Sequence, residues 1–143
     1  MRKLIGLLGI AGTIGLLTSA QAQAPASSAF DGTYRAVSGT NVNATYTDRN
    51  GRMGTCPARK PGPLHIVNGE ARYTTATGYK LRGTVSPQGD LALGLVAPGN
   101  AGNAGAQPVN LKMSGQIDGS GTVRVRQTGA SCSYDFVWQK AAK

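Results

Sequence analysis

From residue 30 onward, apolar and polar residues alternate in short runs, and turn signals break the runs every eight to twelve residues. The signals are RNG at 49–51, NG at 68–69, TATG at 75–78, SPQGD at 86–90, DGSG at 118–121 and TGAS at 128–131. Between them lie segments rich in Val, Tyr, Thr and Leu, the pattern of hairpin-linked antiparallel strands. No run after the first residues carries a helical period. The alternation predicts strands near 30–37, 42–48, 52–56, 64–67, 70–75, 79–86, 90–96, 109–117, 121–127 and 132–139. Such a meander keeps two exposed edges unless its ends meet. The expected fold is therefore all-β: a small antiparallel up-and-down barrel of about eight strands.

Strand parity assigns each side chain to a face. Phe30, Tyr34, Leu64, Ile66, Tyr73, Tyr79, Leu81, Val85, Leu91, Leu93, Leu95, Leu111, Met113, Ile117, Val123, Val125, Tyr134, Phe136 and Trp138 are expected inward. An eight-stranded barrel is just wide enough for side chains to fill it, so no large cavity is expected. His65 has outward parity and reads as a surface residue. YKLRGTVSPQGDLAL (79–93) aligns without gaps to LKMSGQIDGSGTVRV (111–125), matching Gly83 to Gly115 and Gly89 to Gly121. Two hairpins of one barrel obeying one pattern explain this echo, with mid-strand glycines where strands bend. APGNAGNAGAQP at 97–108 reads as a surface loop.

The first residues add a compartment. Arg2 and Lys3 precede an uncharged apolar stretch, Leu4 to Leu17, followed by Ala20-Gln21-Ala22 and Ala22-Gln23-Ala24. That is the layout of a secretory signal peptide over 1–22, with cleavage after Ala22 or Ala24. The stretch of about 14 residues is short of the roughly 20 that cross a bilayer, so no transmembrane span is expected in the mature chain. A disordered leader at 23–29 and a barrel domain at 30–140 would remain, in the periplasm or the secreted space. Cys56 and Cys132 are the only cysteines. An even count in an exported chain reads as one disulfide. A loop of about 75 residues gives roughly 4 kcal/mol in the chain-entropy picture.

Charge changes the partner question. The chain carries 15 basic and 6 acidic residues. Without Arg2 and Lys3 that leaves 13 against 6, or +7. Arg72, Lys80, Arg82, Lys112, Arg124 and Arg126 all have outward parity, and Arg59 and Lys60 add charge in the corner CPARKPGP. Arg72 is expected opposite Arg82, and Lys112 opposite Arg126. Like charges so opposed destabilise slightly, which suggests a basic belt for an anionic partner: lipopolysaccharide, lipid headgroups or acidic glycan. Nucleic acid is not expected, because stacking platforms should face outward and these aromatics face inward. The six acids, Asp31, Asp48, Glu70, Asp90, Asp118 and Asp135, fall in turns or on outward faces, and no nucleophile motif flanks the single histidine. No enzyme activity, cofactor or metal is expected.

FDGTY at 30–34 resembles the first strand of calycins, the group of lipocalins, avidins and fatty-acid-binding proteins, which open with Gly-x-aromatic. Calycins often set a late Arg against that aromatic, and CSYDFVW at 132–138 has none. Over most of the mature chain, the layout C…PGPL.I.NG…GTVSPQG.L…G.I.G.G…C.Y…W resembles small secreted barrel proteins of Gram-negative bacteria, which implies compartment and fold. Three roles fit: a cell-envelope binding protein using its basic face, an inhibitor or accessory protein docking on another exported protein, and a lipocalin-like binder of a small ligand.

Overall fold

The computed structural model describes residues 27–48, 50–95, 110–129 and 131–142. The signal peptide, its cleavage site, the first residues of the leader and the 97–108 loop lie outside the described residues. Ten strands follow a short 3-10 turn, Ser28–Phe30. They are β1 (Gly32–Asn41), β2 (Thr45–Thr47), β3 (Met53–Thr55), β4 (Leu64–Val67), β5 (Glu70–Thr74), β6 (Lys80–Val85), β7 (Asp90–Leu95), β8 (Lys112–Ile117), β9 (Thr122–Thr128) and β10 (Tyr134–Lys140). Eight of them close an up-and-down barrel in the order β1-β10-β9-β8-β7-β6-β5-β4, while β2 and β3 pair only with each other. All strand pairs are antiparallel.

The barrel closes because β1 serves two neighbours. Gly32 to Tyr34 pair with β4, and Tyr34 to Asn41 pair with β10. A register shift between Ala36 and Ser38 marks a bulge, the local bend that lets one strand turn from one partner to the other. Where strands crowd most, the side chain is absent. A Cβ on Gly83 would strike the Ala92 carbonyl, and one on Gly115 the Arg124 carbonyl.

Four turns share one construction. In 48–52, 75–79, 86–90 and 118–122 the first residue's N–H donates to the fifth residue's carbonyl, and the fourth, a glycine, donates back to the first. Gly51, Gly78, Gly89 and Gly121 take φ of 75°, 88°, 90° and 78°, a region that glycine enters without strain. The first residue is Asp48, Thr75, Ser86 or Asp118. Its side-chain oxygen accepts the N–H of the fifth residue in each case. The sequence signals at these positions therefore report real turn chemistry.

The inward set forms the core: Tyr34, Leu64, Ile66, Tyr73, Leu81, Val85, Leu91, Leu93, Met113, Ile117, Val123, Val125, Tyr134, Phe136 and Trp138 are buried. The two barrel ends differ. At one end the tight turns at 68–69, 86–89 and 118–121 converge, and the 3-10 turn lies over them. Ser27 N donates to Val85 O, the Asp31 carboxylate accepts from Asn68 and Gly69, and Tyr34 Oη donates to Phe30 O. Residues 27–29, expected in a disordered leader, are thus built into this cap. The other end receives the longer connections, and there the packing stops short. Tyr79, Leu95 and Leu111 are only half-buried, and a cavity of about 310 Å³ opens among Tyr79, Leu111 and their neighbours. The expectation of a filled barrel is corrected at this end. Parity sets which way a side chain points, but Thr75 and Gln127 take inward positions as polar groups, and the tight turn 75–79 closes only one hairpin of this end.

Candidate ligand site and basic outer strip

One wall of the open end is the proline-rich corner. Cys56 and Cys132 are bonded, with Cα atoms 5.6 Å apart and a separation of 76 residues. Asn43 secures the same junction: its Nδ2 donates to Ser131 O at 2.9 Å, and its Oδ1 accepts from Ser133 N at 2.8 Å. Trp138 Nε1 donates to Gly62 O at 2.7 Å, and Tyr134 Oη donates to Pro57 O at 3.1 Å. Arg59 Nε donates to Tyr134 Oη at 3.1 Å, and its guanidinium carbon lies 5.7 Å from the centre of that ring. The corner thereby holds Arg59, half-buried, at the rim of the cavity, with Lys60 beside it.

The opposite walls are aromatic. Tyr134 and Phe136 stack with ring centres 5.6 Å apart and planes within 5°, and Tyr73 and Tyr79 line the cavity from the β5–β6 hairpin. Burial, the larger effect, raises the Tyr73 hydroxyl pKa, so this group stays a neutral phenol. Gln127, on β9 between Met113 and Tyr134, is 5% exposed. Its Oε1 is buried and meets no hydrogen-bond donor among the described residues. A buried amide oxygen without a donor costs about 1–3 kcal/mol. A concave, largely apolar pocket with few polar groups is the usual form of a small-ligand site, and barrel mouths are a common place for one.

The basic residues divide into two kinds. Arg72 bonds Glu70 at 3.0 Å, Arg124 bonds Asp118 at 3.2 Å, and Arg126 makes two 2.8 Å bonds to Asp135. The carboxylates respond. The Arg72 hydrogen bond lowers the Glu70 pKa and the Arg126 hydrogen bond that of Asp135. The Ser120 hydroxyl and the Thr122 amide are the main groups holding Asp118 at about 2. Arg72, Arg124 and Arg126 are thereby each paired with a carboxylate, whereas Arg82, Lys80 and Lys112 have no such partner among the described residues. Arg82 faces Arg72 as expected, but Lys112 faces Thr128, and Arg126 faces Ser114. The hairpin is centred one residue later than its glycines suggest, because the turn spans 118–122, and one step of centre moves every partner by two.

The true register builds a different strip. Outward neighbours run His65, Arg72, Arg82, Gly94, Lys112 across β4 to β8. Lys80 sits one pair further along β6, opposite Thr74. His65, Arg72, Lys80 and Arg82 border a shallow cleft of about 210 Å³ on the outer wall. His65 is exposed and shares a 3.2 Å hydrogen bond with Thr33.

The mouth is the site that sequence reading missed, although Val123, Val125, Gln127 parity pointed inward to it. On β10, Lys140 Nζ lies 5.9 Å from the centre of the Tyr34 ring. No protein-family model matches the chain, and neither a curated protein nor a solved structure matches it.

Proposed function

We propose that this chain is an exported binding barrel, periplasmic or secreted, that takes a small ligand into its open end. The observation that carries the reading is the 310 Å³ mouth lined by the Tyr73, Tyr79, Tyr134 and Phe136 rings, with Arg59 held at its rim by the Tyr134 hydroxyl. The disulfide fits an oxidising compartment. No helix among the described residues is long and apolar enough to cross a membrane. Gly32-Thr33-Tyr34 with Lys140 over the tyrosine supports a calycin-like use of the barrel.

The test is a titration with N-phenyl-1-naphthylamine, a neutral dye that fluoresces in apolar sites, against the oxidised mature protein. Saturable binding is expected, with amide shifts of β5, β9 and β10 mouth residues moving in the NMR spectrum. Ala76→Trp, an exposed position on the rim, should block it. Absence of binding, or shifts confined to the outer wall, would sink the reading.

A second reading, contact with an anionic envelope polymer or lipid headgroup, is favoured by the strip Arg72, Arg82, Lys112 with Lys80 beside it. The accessory-protein alternative needs an apolar anchor patch. Among the described residues, the exposed large apolar ones are Val37, Val42, Met53 and Val67, on β1, the residue after it, β3 and β4.

A further inference from the structure

We propose that the ligand of the mouth is a compact organic anion with a flat apolar body. This inference rests on the small-ligand reading above and adds the chemistry of the ligand.

Two observations carry it. The first is charge. The lining includes Arg59 and Lys60 and no carboxylate. Every acid of the chain is engaged elsewhere. Asp31 holds the Asn68–Gly69 turn, Asp48 its own turn, Glu70 holds Arg72, Asp90 Ser86, Asp118 its hairpin and Asp135 Arg126. The mouth is therefore electropositive, and Arg59 is held in place at its rim by Tyr134 without a carboxylate partner among the described residues. A guanidinium fixed in this way, with terminal N–H groups to spare, suits a carboxylate, sulfonate or phosphate.

The second is the wall. Arg59 bonds the Tyr134 hydroxyl, and the Tyr134 ring stacks with Phe136, so a ligand whose acid meets Arg59 sets a flat body against these rings.

Two dyes separate the parts of this inference. N-phenyl-1-naphthylamine and 1-anilinonaphthalene-8-sulfonate share rings and an anilino N–H, and only the second carries an anionic group. At low salt the sulfonate is expected to bind more tightly by about tenfold or more, as a charge-assisted hydrogen bond implies. Arg59→Gln with Lys60→Gln should bring the ratio of the two affinities close to one, and Arg35→Gln, on the outside of β1, should leave the ratio unchanged. Melting curves check that each variant is folded. Equal affinities in the wild type would overturn the anion inference while leaving the mouth as a site. A sulfonate preference that survives Arg59→Gln with Lys60→Gln would place the preference elsewhere and overturn it too. No binding of either dye would overturn both readings.

Discussion

Gln127 and Trp138 occupy the same kind of position, inward on neighbouring strands, and meet opposite fates. Trp138 is fully buried with its N–H satisfied by Gly62 O, so its burial contributes stability at no polar cost. Gln127 is nearly as buried and its Oε1 is unsatisfied. Replacing it with leucine, of similar size, removes the stranded amide. Gln127→Leu is expected to stabilise the ligand-free protein by about 1 kcal/mol, seen as a melting temperature higher by several degrees. A lower melting temperature would mean that the amide supports the fold. At this scale the sequence was only partly readable. Alternation placed Tyr34, Phe136 and Trp138 in the core because they are apolar and mid-strand. Gln127 has the same parity, but a glutamine at a strand's end looks like the start of a surface loop.

The elements were the most readable level, for a physical reason. A glycine three residues after an Asp, Ser or Thr fixes a turn whose hydrogen bonds are local, and local chemistry is written in adjacent residues. The β8–β9 hairpin shows both the strength and the limit of this. Its turn was found, but the pairing of Lys112 with Arg126 was off by two, because parity survives a one-step error of centre and partner identity does not. The same turn predicts a pH response. Asp118 accepts from Ser120 and Thr122 and bonds Arg124, and these contacts lower its pKa to about 2. A carboxyl depressed in the fold stabilises fully above its unfolded range near 4 and loses that contribution as pH falls through the folded value. The melting-temperature advantage of wild type over Asp118→Asn should therefore be greatest above about pH 4 and shrink as pH falls toward 2. A constant difference across that range would show that the carboxylate's charge is not what the turn uses.

For the molecule as a whole, the closed barrel followed from counting strands, whereas the open mouth did not. Cavity volume depends on how far long connections reach over a barrel end, and alternation carries no information about reach. The outer strip belongs to this scale as well, since Arg72, Arg82 and Lys112 are brought into one line only by the register of four successive strands. Exposed charges lose most of their reach beyond about 10 Å at 0.1 M salt. Binding to anionic vesicles should therefore exceed binding to neutral ones at low salt and fall at moderate salt. Arg82→Glu with Lys112→Glu should abolish the excess, and Arg126→Gln, which removes a cation already paired with Asp135, should change it little. Equal binding to both surfaces would leave the strip only a role in solubility. The seam between β1 and β10 has a temporal consequence. It joins Tyr34 to Lys140 and Asn41 to Tyr134, contacts among the most distant in sequence, and the cross-link at Cys132 also waits for the last part of the chain. Local hairpins can form early, but cylinder closure is a late, high-contact-order event.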